Sequence, residues 1–291
     1  MIRIGVDFGG TKIEAAALDP HGQFQARVRV PTPPLYEDRL TATRDVVAEA
    51  ERQAGVTVPR IGVGGPGSPS PATGLMRNSN STVLNDKPFP ADLQRTLGRP
   101  IRYANDANCL ALSEATDGAA KAAGVVFAVI IGTGCGAGIA VDGRLLDGRN
   151  HIAGEWGHTP LPWPTPAERP GVQCWCGRIN CLELWLSGTG FAREAGRSAE
   201  AAVFAGDLAA LDAYIDRLAR GLAITVDILD PDVIVLGGGL SNIQRLYDKL
   251  PTAIAPHVFS DVFTTPIRKA AHGDSSGVRG AAWLWPLEPP A

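Results

Sequence analysis

The apolar positions of this chain fall into two rhythms, one of strands and one of helices. Residues 2–6 and 13–18 are β-rich or small, and the glycines of "DFGGT" between them supply a tight turn, which predicts a hairpin. A second hairpin is predicted over 125–143, "VVFAVIIGTGCGAGIAVDG", where a buried strand meets a loop carrying Gly132, Gly134, Gly136 and Gly138 and then another strand. Laid on it without gaps, the first hairpin puts Gly9 on Gly132, Leu18 on Val141 and Asp19 on Asp142, so the chain reads as two related halves. In between, Leu40, Val46, Val47, Ala50 and Ala54 share a helical face that Gly55 ends, predicting an amphipathic helix over 40–54. "RIGVGGPGSPSPATG" reads as a short strand and a Pro/Gly loop running to about Asn85. "PIRYANDANCLALSEA" reads as a strand, a turn at Asn105 and Asp106, and a helix continuing to about Gly124. Residues 147–179 are irregular and rich in Pro, Gly and Trp, and loops of that length in a compact domain usually carry function. Leu211, Ile215, Leu218, Leu222 and Leu229 mark a core-packed helix over 208–229, followed by the buried strand and glycine turn of "DPDVIVLGGGLSN" and a further helix. The terminal "GVRGAAWLWP" predicts a short apolar helix that packs back onto the first half. Alternating β and α elements define an α/β architecture with helices covering the sheets.

Length changes this picture by one step: 291 residues, 45% of them hydrophobic, exceed what one core usually organises, so two domains with a cleft are expected. A net charge of −3 supplies no basic field for nucleic acid or anionic membrane, and neither is expected as a partner. The chain runs from Met1 directly into a strand-like segment without signal-peptide order, and no apolar run approaches the roughly 18 residues a bilayer requires. A cytoplasmic location is therefore expected, and in that compartment clustered cysteines are more often metal ligands or redox groups than disulfides.

Three glycine turns follow strands: Asp7 to Lys12 ("DFGGTK"), Gly132, Thr133 and Gly134 in "GTGCGAG", and Gly237, Gly238 and Gly239. Backbone amides in such turns converge on an anion because no Cβ blocks the approach, although any single one of them reads equally as an ordinary hairpin or helix-end turn. Neither common nucleotide motif fits, since no Gly-Lys-Ser/Thr is present and the Gly132-x-Gly134 run meets Ala137 where a third glycine is needed. Asp7 beside Gly9, Gly10 and Thr11 suits a carboxylate that positions Mg²⁺ through water. Lys12 reads either as a phosphate neutraliser or as a solvated turn lysine. "CWCGRINCLE" places Cys174, Cys176 and Cys181 within eight residues, and three thiolates call for a fourth ligand around tetrahedral zinc. Cys109 and Cys135 read as small packing residues.

Taken in order, "GVDFGGTKIEAAALD", "ANDANCLALSEA", "IIGTGCGAGIAVDGRL", "AGEWGHTPLPW", "CWCGRINCLE", "DPDVIVLGGGLSN" and "HGDSSGVRGAAWLWP" resemble the ROK family of sugar kinases, within the two-domain actin-like, hexokinase-type ATPase fold. The resemblance covers essentially the whole chain. It implies a smaller lobe of residues 1–112 plus 275–291, a larger lobe of 113–274 with a zinc loop, and ATP and Mg²⁺ as partners of the reaction. It also implies Asp106 as the general base that deprotonates the sugar hydroxyl, where spacing alone reads an N-cap aspartate. Asn105, Glu155, His158 and Glu183 are the implied sugar partners, with Asn80 and the backbone of Gly65 and Pro66 beside them; individually, each glutamate also reads as a solvated charge and His158 as an interior histidine. His158 is the implied fourth zinc ligand, which closes the coordination shell and makes the metal structural. "NSNSTVLN" and "GEWGHTPLPW" look most like bacterial fructokinases that also accept mannose; N-acetylglucosamine kinases and glucokinases are near relatives, and a sugar-responsive regulator of the family is the reading from another class. Family members are commonly dimers. Two departures stand out: Asn180 replaces a usual glycine of the cysteine loop, which asparagine tolerates at a left-handed position, and Gly65 replaces a larger apolar residue.

Overall fold

The computed structural model describes residues 1–286. The predicted first hairpin is β1 (Arg3–Phe8) and β2 (Lys12–Leu18), paired antiparallel from Arg3 opposite Leu18 to Phe8 opposite Ile13. It is extended by β3 (Phe24–Pro31), an additional edge strand beyond the predicted hairpin, in which Ala26, Val28 and Val30 alternate with the exposed Arg27 and Arg29. The helix α1 (Tyr36–Ala54) starts a turn earlier than its apolar stripe suggests and closes on Gly55 in the left-handed region, φ 66°. Then come β4 (Ile61–Gly65), the two-residue strands β5 (Ser68–Pro69) and β6 (Met76–Arg77), α2 (Phe89–Leu97), β7 (Ile101–Asn105) and α3 (Asp106–Thr116). The first sheet runs β3-β2-β1-β4-β7, its last two strands parallel to β1.

The second half repeats the plan with β8 (Val125–Ile131), β9 (Cys135–Val141), β10 (Arg144–Leu145), β11 (Val233–Gly237) and β12 (Ile267–Lys269), ordered β10-β9-β8-β11-β12. The predicted internal repeat is therefore a repeat of topology. Its ungapped register needs one correction: Phe8 pairs with Ile13 but Ile131 pairs with Cys135, so the second turn is one residue shorter and the match slips after it. Helices α4 (Glu183–Leu186), α5 (Gly188–Ala195), α6 (Ala199–Phe204), α7 (Leu208–Leu229, the predicted 208–229) and α8 (Gln244–Ile254) cover this sheet, with Leu218, Leu222, Leu246 and Leu250 wholly buried.

Between the two cores lie α3 and α9 (Ser276–Trp283), packed against each other, with α9 also against β1 and β4 as its apolar composition predicts. Their crossing is close because Gly280 has no side chain: a Cβ there would sit 1.9 Å from the Cys109 carbonyl oxygen. Gly280→Ala is expected to lower stability by about 1–3 kcal/mol, read as a fall in Tm with retained secondary structure. Helix α3 stops at Thr116 and not near Gly124, because the buried carboxylate of Glu114 accepts the Ala119 amide at 2.8 Å and turns the chain. The expected lobe boundary at 112/113 falls inside α3, and residues 287–291 of the expected smaller lobe lie outside the described residues. Among the described residues no helix is long and apolar enough to cross a membrane.

Candidate active site

Asp106 opens α3 at the C-terminal end of β7, where helix and strand directions both place functional groups at a sheet edge. It is not the N-cap. That role belongs to Asn105, whose Oδ1 accepts the Asn108 amide at 2.7 Å, so the capping alternative for Asp106 is removed. Among the described residues no donor binds the Asp106 carboxylate, and it is open to solvent although protein mass surrounds it deeply on its other sides. That mass, and then the charge of Asp7, push its pKa up to about 7. Water entering an open cleft softens the first effect, so the full rise belongs to a dehydrated site. Asp7, at the end of β1, is pushed to about 6 by burial and by Glu14 opposite it, with Lys12, Arg29 and Arg27 opposing the rise. The order is physically consistent: Asp7 ionises first, and its charge then holds the proton on Asp106. Glu14 is fully buried and paired with Arg27 and Arg29.

The wall beside Asp106 is the β4 end and the loop after it. Gly65 and Pro66 are buried, and Tyr103 donates its hydroxyl to the Pro66 carbonyl at 2.8 Å. A Cβ on Gly65 would stand 2.9 Å from that hydroxyl, so Tyr103 occupies the space a larger residue would take. Asn80 is exposed, on a loop whose shape is set by a residue the sequence reading did not single out: Asn85 accepts from the Ser79 amide and donates to the Ser79 carbonyl, both at 3.0 Å. Its place in "NSNSTVLN" is the only signal that could have found it.

Strand β9 joins the other half of the site to α3. On one side Gly138 packs against the Ala107 backbone, next to Asp106; on the other, Ala137 donates to the Gly154 carbonyl at 3.1 Å and Gly157 lies against Cys135. This seats Glu155 and His158 beside β9. Glu183, first residue of α4, accepts from the Cys135 amide at 3.1 Å through one oxygen and from the Trp175 indole at 2.6 Å through the other. Burial raises the Glu155 pKa, with His158 opposing, Glu183 adding and Arg77 opposing, so these four groups share one field. Cys109 and Cys135 are buried packing residues, as expected.

All five cysteines are free, and the Nδ1 or Nε2 of His158 and the Sγ atoms of Cys174, Cys176 and Cys181 lie within 4.8 Å of one another. Two edges of the cluster are short: His158 Nδ1 to Cys174 Sγ at 3.7 Å and Cys176 Sγ to Cys181 Sγ at 3.6 Å. A tetrahedral zinc with sulfur at about 2.3 Å has ligand edges of about 3.8 Å, so these residues fit the metal with small contractions. Asn180 sits at φ 65°, the left-handed position expected of it, and accepts the Trp185 indole at 2.8 Å.

The glycine turns lie where the sequence put them, at Gly9–Thr11, Gly132–Gly134 and Gly237–Gly239, with Gly238 (φ 83°) against the Ile131 carbonyl so that the second and third adjoin. Asp7 accepts no hydrogen bond from the described residues, which suits a carboxylate reserved for a cation. Surface hollows of 420 and 140 Å³ at the end of α1 and beside Trp285 lie away from this site.

A duplicated β-meander with parallel additions, two helices between the halves and a glycine turn in each hairpin define the actin-like, hexokinase-type ATPase fold. The chain belongs to the ROK family, whose model matches residues 3–288. It is 38% identical over 297 aligned positions to an N-acetyl-D-glucosamine kinase of Yersinia pseudotuberculosis, covering 96% of this chain and 97% of that one. Among solved structures, the ROK hexokinase of Thermus thermophilus superposes with a TM-score of 0.85 at 32% identity, over 98% and 97% of the two chains. A ROK family glucokinase of Streptomyces griseus, solved with glucose and AMPPNP, gives 0.76 at 28% identity over 98% and 99%.

Proposed function

We propose that this protein is an ATP-dependent hexose kinase that phosphorylates a 6-hydroxyl, with Asp106 as general base. The observation that carries the reading is an unengaged carboxylate at the head of α3, freed from capping by Asn105 and lying in the field of Asp7, at the end of the strand that leads into the first glycine turn. In this reading Asp106 accepts the hydroxyl proton as the oxygen attacks the γ-phosphorus. Asn105 keeps its Nδ2 for a sugar oxygen while its Oδ1 caps the helix, and Asn80, Glu155, His158, Glu183 and the Gly65–Pro66 backbone supply further sugar partners. Gly9, Gly10, Thr11, Lys12, Gly132, Thr133, Gly134, Gly237, Gly238 and Gly239 line the nucleotide. Asp7 would hold Mg²⁺, which neutralises phosphate charge when bound. His158, Cys174, Cys176 and Cys181 would hold zinc in a closed shell. The two lobes, one built on each five-stranded sheet, close on the sugar and exclude water.

Of two candidate acceptors, N-acetylglucosamine has the stronger support and fructose the weaker. The N-acetylglucosamine kinases at 38% identity favour the 2-acetamido sugar. The segments "NSNSTVLN" and "GEWGHTPLPW" favour fructose, with mannose beside it. One hydroxyl in such a pocket redirects preference, so identity at this level leaves the choice to measurement. ADP release should be followed with fructose, mannose, glucose and N-acetylglucosamine. Sugar-dependent turnover with one of them at a kcat/KM at least tenfold above the rest is expected. Folded, zinc-replete protein that releases no ADP with any of the four would refute the kinase reading.

A further inference from the structure

The three glycine turns share a feature that their sequences do not show. In each, a hydroxyl grips a carbonyl oxygen of the turn. Thr32 Oγ1 donates to the Gly9 carbonyl at 2.8 Å, Thr189 Oγ1 to the Thr133 carbonyl at 3.1 Å, and Ser241 Oγ to the Gly238 carbonyl at 2.6 Å. Two of these hydroxyls come from far along the chain, 23 and 56 residues away. Backbone amides from the same places hold the neighbouring carbonyls: Thr32 N–H donates to Thr11 O at 3.0 Å, and Gly188 N–H to Gly132 O at 2.7 Å.

A trans peptide unit is planar, so its carbonyl and the next residue's N–H point in opposite directions. Holding Gly9 O therefore aims the Gly10 N–H away from Thr32. By the same geometry, Gly188 fixes the Thr133 N–H, Thr189 fixes the Gly134 N–H and Ser241 fixes the Gly239 N–H. Among the described residues none of these four amides has a protein acceptor, and Gly10, Gly134 and Gly239 are exposed. Glycine peptides flip easily, because both signs of φ are open to them. A flip would turn a carbonyl oxygen toward an anion in place of an N–H.

The second brace is itself ordered. Thr189 spends its one hydroxyl proton on Thr133 O, so in its 2.9 Å contact with Ser187 it must accept, and Ser187 in turn accepts the Gly190 amide at 3.0 Å.

We infer that Thr32 and Thr189 are positioning residues for nucleotide binding, which lock the glycine-turn peptides with their N–H groups facing the phosphates. The inference rests on the kinase reading and adds residues outside the turns themselves. Binding of AMPPNP with Mg²⁺ should be measured by calorimetry for Thr32→Val and Thr189→Val, which keep shape and lose the hydroxyl, and for Thr32→Ser and Thr189→Ser, which keep it. Each valine variant is expected to bind about tenfold more weakly and to raise the KM for ATP equally, with the sugar KM within twofold of wild type; each serine variant should bind as wild type does. Unchanged sugar KM in the same samples shows that the fold is intact. Valine variants with wild-type AMPPNP affinity, or serine variants as weak as the valines, overturn the proposal alone. Wild-type protein that binds no AMPPNP overturns the kinase reading and the proposal with it.

Discussion

Asp106→Asn is expected to reduce kcat by at least ~10²-fold while leaving the fold and both KM values close to wild type. Asparagine keeps the size and polarity of the side chain but cannot take a proton. Asn105 holds the helix cap, so the substitution leaves α3 anchored. The pH dependence follows from the same carboxylate. As a base it must be ionised, so kcat should rise with pH as the Asp7–Asp106 pair loses its protons, between about 6 and about 7, and should level off above that. Both folded-state values are raised above those of an unfolded chain. Ionisation therefore costs stability, with the loss growing as pH climbs from the unfolded value and complete once pH passes the folded one. Asp106→Asn should then melt no lower than wild type at pH 8, with the difference shrinking at pH 5. A variant with near-wild-type turnover would remove Asp106 from the chemistry, and one that melts well below wild type at pH 8 would show the carboxylate to be structural.

Much of this site could be read before folding because it is built from local pattern. Strand, glycine turn, strand is a short-range signal, and it located the turns at Gly9–Thr11 and Gly132–Gly134 and the internal repeat. Long-range bonds were not legible. Nothing near Thr32 or Thr189 marks them as braces, because their acceptors lie 23 and 56 residues away. Arg77 is a similar case: it reaches from β6 to donate to the Asn150 carbonyl at 2.7 Å, joining two loops proposed to face the sugar across 73 residues. The alternation of Ala26, Val28 and Val30 with Arg27 and Arg29 does mark β3 as an edge strand, whereas the end of the helix after Asp106 is hidden, because Glu114 is a good helix former whose buried carboxylate diverts the chain. Glu183 shows the reverse limit. Its family role faces the sugar, yet both its oxygens already accept, from Cys135 and from Trp175, so it ties the cysteine loop to the second glycine turn as well.

Purified protein is expected to carry one zinc per chain, and stripping it should raise the sugar KM at least about tenfold while AMPPNP affinity changes by less than that. Trp175 is 62% exposed and lies between Cys174 and Cys176 in the sequence. Its indole holds one oxygen of Glu183 and meets the His158 ring edge-on at 4.9 Å. His158 is at once a ligand of the fitted metal shell and a member of the Glu155, His158, Glu183 group, so loss of the metal frees a sugar-side imidazole directly. The nucleotide turns keep their own braces at Thr32 and Thr189, neither of which belongs to the cysteine loop. Apolar burial also survives on one side only: Leu161 and Leu182 stay in the large core, whereas residues 163–180 add no apolar member to it and are tied to α7 by the Glu168 to Arg220 ion pair. Native mass spectrometry before and after chelation gives the metal content, limited tryptic proteolysis at Arg178 reports opening of the loop, and re-addition of zinc should restore the sugar KM. Cys176→Ser should reproduce the stripped behaviour, since removing one of four ligands costs most of a closed shell's affinity. A metal-free protein with full sugar affinity would make the thiol cluster dispensable to the site and would leave Glu155, Glu183 and His158 to be held by β9 alone.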